Sequence, residues 1–221
     1  MSDVRIGLIV PSSNTVMEED FHRRFERPAV VTTTRIFLED VTREAELRML
    51  SEELPRAIRL IRTTAPTVVV FGCTSAGSLG GVHHDSEIAR SIEEVTGGVA
   101  ITVIGAVVKQ LRAVGARRVA VFTPYSEDLT RSVADCIVEA GFSVAKASGM
   151  GIVENRQIGR VTPEEIAAFV EREFRGVQAD CVFLSCTNWR AVEAREALQR
   201  TLGDPVITSN QACIDEVARI A

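Results

Sequence analysis

The 221-residue sequence predicts an α/β protein built as two pseudo-symmetric, doubly wound parallel-sheet halves with one site between them. Three observations predict it. Short apolar runs alternate along the whole chain with longer, charge-studded helical segments. Two strand-end motifs recur in the same order in each half. The interval between the motifs is the same both times.

The elements follow in order. Residues 5–10 form an apolar strand that runs into Pro11-Ser12, and 29–37 are rich in Val and Thr, as a strand prefers. A charged, apolar-striped segment at 44–63 reads as a helix. The run at 67–72 is a buried strand ending at Cys73-Thr74. A helix at 86–96, a strand at 100–103 and a helix at 104–114 come next. The same series then restarts: strand 118–123 into Pro124-Tyr125, helix 126–140, strand 142–147, helix 163–174, strand 181–185 into Cys186-Thr187, helix 188–201, strand 205–208 and helix 210–218. Gly115, Gly141 and Gly203 stand where helices should stop, because glycine tolerates left-handed backbone angles.

Pro11 to Cys73 is 73 − 11 = 62 positions, and Pro124 to Cys186 is 186 − 124 = 62. Ala100-Ile101-Thr102 and Val206-Ile207-Thr208 form a third matching pair. The division expected is residues 1–103 with 209–221 as one half and 104–208 as the other. Parallel sheets bind ligands at the carboxyl ends of their strands, where the Pro and Cys-Thr motifs both fall. Two halves facing each other therefore make one cleft with a cysteine on each side.

Composition bounds the function. The chain is 46% hydrophobic and 25% charged, ordinary globular values, and its net charge of −5 leaves no basic footprint for nucleic acid. The longest apolar runs, such as 65–71, are far too short to span a bilayer. The opening residues lack a charged-then-apolar signal pattern, so a cytoplasmic protein without a membrane partner is expected. The five cysteines (73, 136, 181, 186 and 213) form no CxxC pair and flank no histidine cluster, which argues against a zinc site and against a disulfide framework.

Cys73 and Cys186 each close a strand and precede a turn or helix start. A thiol there meets bare N–H groups and the positive end of the helix dipole, which favour the thiolate and lower its pKa. One such cysteine alone is readily a packed core thiol; two at equivalent places point to chemistry. Cys136, Cys181 and Cys213 lack the pattern and read as structural. A cysteine hydrolase would need a histidine base, but His22, His83 and His84 lie in polar settings, and His83-His84-Asp85 reads as a solvated turn with Asp85 capping the next helix. There is no GxSxG, no GxGxxG, and no Walker lysine in the run from Gly72 to Ser78. What remains near Cys73 is a set of N–H groups with the hydroxyls of Thr74 and Ser75, suited to a carboxylate or a developing oxyanion; Thr187 and Asn188 supply the same opposite. Asn14 reads singly as a helix cap and Asn155 as a turn residue, while Tyr125 follows a Pro at a strand end. Beside the two cysteines they are candidate ligands for a small diacid.

Taken together, Gly7 to Thr15 (with Pro11-Ser12-Ser13-Asn14-Thr15), Cys73-Thr74-Ser75, Pro124-Tyr125, Asn155, Cys186 and Ser209-Asn210-Gln211-Ala212 resemble the maleate cis–trans isomerases of the aspartate/glutamate racemase superfamily. The resemblance spans nearly the whole chain in order. It implies two doubly wound halves, no metal, no organic cofactor, and a homodimer or higher homo-oligomer acting on a small carboxylate. It also implies that Cys73 adds as thiolate to the double bond of maleate, giving a succinyl-cysteine that rotates and eliminates to fumarate while Cys186 handles the proton. Asn14, Tyr125 and Asn155, with Thr74, Ser75 and Thr187, would hold the carboxylates. One departure stands out: Leu184-Ser185-Cys186-Thr187-Asn188-Trp189-Arg190 is closer to racemase-like relatives, including the ectoine-utilisation branch, and places Trp189 and Arg190 where they can reshape the pocket. The alternatives are an amino-acid or hydantoin-type racemase, an arylmalonate-decarboxylase-like enzyme (whose family keeps only the second cysteine) and a silent carboxylate-binding protein.

Overall fold

The computed structural model describes residues 4–220, so residues 1–3 and 221 of the expected first half lie outside the described residues. Two four-stranded parallel sheets carry the chain, in the orders β2-β1-β3-β4 and β6-β5-β7-β8. The first comprises β1 (Arg5–Pro11), β2 (Val30–Ile36), β3 (Val68–Phe71) and β4 (Val99–Thr102); the second comprises β5 (Arg118–Thr123), β6 (Ser143–Gly149), β7 (Cys181–Leu184) and β8 (Val206–Thr208). All eight strands expected from the sequence are present.

The repeated interval has a simple cause in the sheet register. Ile6 pairs with Val68 and Ile9 with Phe71, while Val119 pairs with Cys181 and Phe122 with Leu184, so partners are 62 residues apart in both halves. The Pro and Cys motifs therefore leave neighbouring strands side by side. Gly72 N–H donates to Ile9 C=O and Ser185 N–H to Phe122 C=O, each at 2.8 Å, extending both pairs by one further bond. Every residue of β3 and β7 is buried, as central strands covered on both faces must be, whereas the edge strands β2 and β6 are partly exposed.

The helices are α1 (Val16–Arg24), α2 (Arg43–Arg48), α3 (Leu54–Arg62), α4 (Thr74–Ser78), α5 (Gly81–Thr96), α6 (Val103–Ala113), α7 (Glu127–Glu139), α8 (Asn155–Ile158), α9 (Pro163–Phe174), α10 (Ala191–Leu202) and α11 (Ser209–Ile220). The helix expected over 44–63 is broken by a π-turn, Met49–Glu53, immediately before Pro55. Proline has no N–H for the bond four residues back, so the ladder slips there. Helix α3 then buries Leu54, Ala57, Ile58 and Ile61, one apolar stripe. Helix α1 escaped the periodicity reading because its buried face, Val16, Met17, Asp20 and Phe21, includes an acid. The short α4 and α8 carry no periodic pattern to read.

The turn expected at His83-His84-Asp85 is instead part of α5, which begins at Gly81. Asp85 does not cap that helix. It is buried and accepts from the Thr102 hydroxyl, beside the start of α6. Thr102 Oγ1 accepts from Gly105 N–H, and Thr208 Oγ1 accepts from Gln211 N–H, so the third repeated motif is a matched pair of helix caps. No described helix is long and apolar enough to cross a membrane.

Candidate active site

The carboxyl ends of β1, β3, β5 and β7 meet around one narrow cavity. Asn14, Cys73, Thr74, Ser75, Tyr125, Asn155, Cys186 and Thr187 all line it, so the structure brings together every site residue expected from the sequence. Pro11 and Asn188 complete the wall, and Leu38 and Val41, from the segment after β2, close it. A larger depression bounded by Phe37, Arg48, Glu52 and Glu53 shares only Leu38 with this cavity and holds no cysteine, so the smaller one is the candidate active site.

Backbone geometry places the two cysteines. Cys73 is the residue before α4, in extended conformation, and the Ala76 N–H faces its sulfur. The Asn188 N–H donates to Cys186 Sγ at 3.3 Å, the Trp189 N–H faces the same atom, and so does the Tyr125 hydroxyl. Cys186 therefore faces more hydrogen-bond donors than Cys73 does.

Side chains from both halves are stitched together across the cavity. Asn14 Oδ1 accepts from the N–H groups of Val16 and Met17, capping α1, while its Nδ2 donates to Thr187 Oγ1 at 2.9 Å. The Thr187 hydroxyl donates in turn to Gly72 C=O at 2.9 Å. Asn155 Nδ2 donates to Ser13 Oγ, and Asn188 bridges Asn155 C=O and Thr15 N–H. Thr74 and Ser209 share a hydroxyl–hydroxyl bond of 3.0 Å. The cap reading and the site reading of Asn14 are thus both true, because one amide group has enough donors and acceptors for both.

Electrostatics overturn one expectation. The helix terminus does not lower the thiol pKa values: burial raises Cys73 well above its ordinary value, aided by the nearby Glu46, and burial pushes Cys186 up to about 12. Desolvation of a thiolate outweighs a few N–H donors when the sulfur has almost no contact with water. Tyr125 is raised for the same reason.

Two residues singled out beside Cys186 have other roles. The Trp189 ring is fully buried against Phe169, with ring centroids 6.4 Å apart, and Arg190 pairs with Glu193; neither lines the cavity. The residue that sequence reasoning missed is Glu46. It is fully buried, receives the Ser75 hydroxyl proton in a hydrogen bond, and has its carboxyl pushed up to about 8 by burial. Its only sequence signal is the shared helical face with Met49 and Leu50, three and four positions on; among so many charged neighbours it reads as solvated.

A family model described as arylmalonate decarboxylase matches residues 6–221. The chain belongs to the arylmalonate decarboxylase family. Within reach of that family, a maleate isomerase of Geobacillus stearothermophilus is 30% identical over 97% of this chain and 90% of its own length. The arylmalonate decarboxylase of Bordetella bronchiseptica is 27% identical over 98% of this chain and 90% of its own. Among solved structures, a cysteine-to-serine mutant of Nocardia farcinica maleate cis–trans isomerase with a covalently bound succinylcysteine intermediate superimposes with a TM-score of 0.89, at 26% identity, over 98% of this chain and 91% of that one. The chain thus shares its fold with a maleate isomerase and resembles both maleate isomerases and an arylmalonate decarboxylase in sequence.

Proposed function

We propose that this chain is a cofactor-independent cis–trans isomerase of a small dicarboxylate, converting maleate to fumarate through a succinyl-cysteine. The observation that carries the reading is that Cys73 and Cys186, one from each half, line the same cavity. Cys73 Sγ adds to one alkene carbon, and the electron pair displaced onto the neighbouring carbon takes a proton from Cys186. The new single bond rotates, Cys186 recovers a proton, and the C–S bond breaks to release fumarate. Thr74, Ser75 and Thr187 offer hydroxyls, and Asn14, Tyr125 and Asn155 further donors, to the two carboxylates. The cavity as closed has room for little more than water, so a four-carbon acid enters when Leu38 and Val41 move outward.

A covalent succinylcysteine in a relative of this fold supports the addition mechanism, and the presence of Cys73 favours it over a one-cysteine decarboxylase. We further propose that the halves divide as 1–103 with 209–221 and 104–208, since each range holds one sheet and α11 turns back to touch α1, β3 and β4 of the first. A cytoplasmic homodimer or higher homo-oligomer without a nucleic-acid partner fits the net charge of −5 and the exposed Phe37 and Leu47. Sedimentation velocity tests the assembly.

The test of function follows maleate to fumarate by proton NMR with no added metal or cofactor. Turnover by wild type and none by Cys73→Ala is the expected result. No fumarate, together with solvent deuterium entering the α-position of a chiral acid, would replace the isomerase by a racemase.

A further inference from the structure

We propose that Glu46 is the terminal proton acceptor for Cys73, reached through the Ser75 hydroxyl, so that Cys73, Ser75 and Glu46 work as one relay. The proposal takes from the proposed function only that Cys73 is the nucleophile. Addition needs a thiolate, yet Cys73 is buried and no imidazole is at hand: His22, His83 and His84 are outside the cavity. Among the described residues, the one carboxyl group hydrogen-bonded to a neighbour of the sulfur is Glu46. Cys73 Sγ lies 3.9 Å from Ser75 Oγ, and Ser75 Oγ donates to Glu46 Oε1. Glu46 Oε2 is buried with no partner among the described residues, which is unusual for a carboxyl kept for structure alone.

The groups facing Glu46 make a shared proton reasonable. Arg43 on its own helix favours the carboxylate, Ser75 accepts or donates, and Cys73, Tyr125 and Cys186 all feel its charge. A buried carboxylate and a buried thiolate this close disfavour each other, so the pair keeps one proton between them over a wide pH range. Glu46, pushed up to about 8, changes state near the pH at which a general base is most useful.

The step balances. The Cys73 S–H proton passes to Ser75 Oγ as the Ser75 O–H proton passes to Glu46 Oε1. The sulfur keeps the electron pair and spends it on the C–S bond, and the carbanion formed next to the substrate carboxylate takes the Cys186 proton. Elimination runs the same transfers backwards, with Cys186 thiolate taking the proton and Glu46 returning its own. Reversing the Ser75 hydroxyl also turns its O–H toward the sulfur, steadying the thiolate. Glu46 acts through Ser75 and touches no reacting atom, so it is a positioning residue with a proton to hold.

The test is the pH profile of Cys73 alkylation by iodoacetamide, read by peptide mass spectrometry with Cys186 as the internal reference. It needs no substrate. In wild type the Cys73 rate should rise with a midpoint near 8, as Glu46 loses its proton. Glu46→Gln keeps an acceptor for the Ser75 hydroxyl but cannot take a proton; that rise should vanish, and kcat/KM for maleate should fall about 100-fold or more. Ser75→Ala, which cuts the relay in the middle, should show the same loss and carries the test alone if Glu46→Gln does not fold. Coincident profiles, or a Glu46→Gln protein alkylated faster at neutral pH, would overturn the relay, the latter by revealing Glu46 as a merely repelling charge. A wild type inactive on maleate but with the relay profile intact would end the maleate reading and leave the relay standing.

Discussion

Replacing Thr187 by valine keeps the size and shape of a buried side chain and deletes one hydroxyl. That hydroxyl accepts from Asn14 Nδ2 and donates to Gly72 C=O, joining residues of the two halves at the rim of the cavity. Valine leaves both groups without this partner in a place where water does not reach, since Thr187 and Asn14 are almost completely buried. A buried polar group left unpaired costs about 1–3 kcal/mol, so the pair costs about 2–5 kcal/mol, offset slightly by the added methyl. For a chain of this size that is a fall in Tm of roughly 5–15 °C. Thr187→Ser keeps the hydroxyl and loses one methyl, about 1 kcal/mol. Thermal and urea unfolding, followed by the fluorescence of buried Trp189, compares the two variants with wild type. A valine variant within about 0.5 kcal/mol of wild type, the usual spread of an inconsequential substitution, would refute the claim that hydrogen bonds tie the halves here. So would a serine variant as damaged as the valine one.

Four further outcomes are expected. Cys186→Ser soaked with maleate should gain one substrate mass on Cys73, because the carbanion formed on addition can take its proton from water or the serine hydroxyl, while no thiolate is left to remove it for elimination; intact-protein mass spectrometry reads it, and no adduct argues against the mechanism. Limited alkylation at mildly alkaline pH should label Cys73 or Cys186 before Cys136, Cys181 or Cys213, whose sulfurs lie in the core rather than beside the cavity; the reverse order in peptide maps would contradict the site. Asp85 has its carboxyl raised from its ordinary value of 3.8 to about 6 by burial, so the folded state binds the extra proton between those values and Asp85's contribution to stability falls as pH rises through them; Asp85→Asn should therefore gain on wild type between pH 4 and 7, by about 3 kcal/mol at most, in urea titrations at each pH. Trp189→Phe should leave the ratio of rates on maleate and other small acids unchanged, because the ring packs on Phe169 and not in the cavity; a changed ratio in a substrate panel would place it back in the pocket.

The repeat was the most legible feature, and its reason is geometric. A parallel pair with fixed register turns a spatial neighbour relation into a constant sequence offset, so Ile9 with Phe71 and Phe122 with Leu184 leave the same 62-residue signature. Strand ends carrying Pro and Cys then had to fall side by side at the carboxyl end of each sheet. The gathering of Asn14, Tyr125 and Asn155 around the cysteines was legible only as a set, since each alone has an adequate cap, core or turn reading. Glu46 was not legible at all: a glutamate on an amphipathic, highly charged segment is nearly always solvated, and only the fold reveals that this one faces Ser75.

The same division runs through the electrostatics and the neighbours of Cys186. Sequence alone settled the alternation of strands and helices, the pairing of motifs, and which two of five cysteines belong together, because each is a matter of order and spacing along the chain. It misjudged the thiol pKa values, since a helix terminus is visible in sequence whereas loss of water is not, and burial dominates both sulfurs. It also misplaced Trp189 and Arg190, which follow Cys186 in sequence but turn away from it toward Phe169 and Glu193. Tertiary structure alone decided these points, because burial and side-chain direction depend on how the elements pack, and contact between the halves on segments more than a hundred residues apart, as with Asn14 and Thr187.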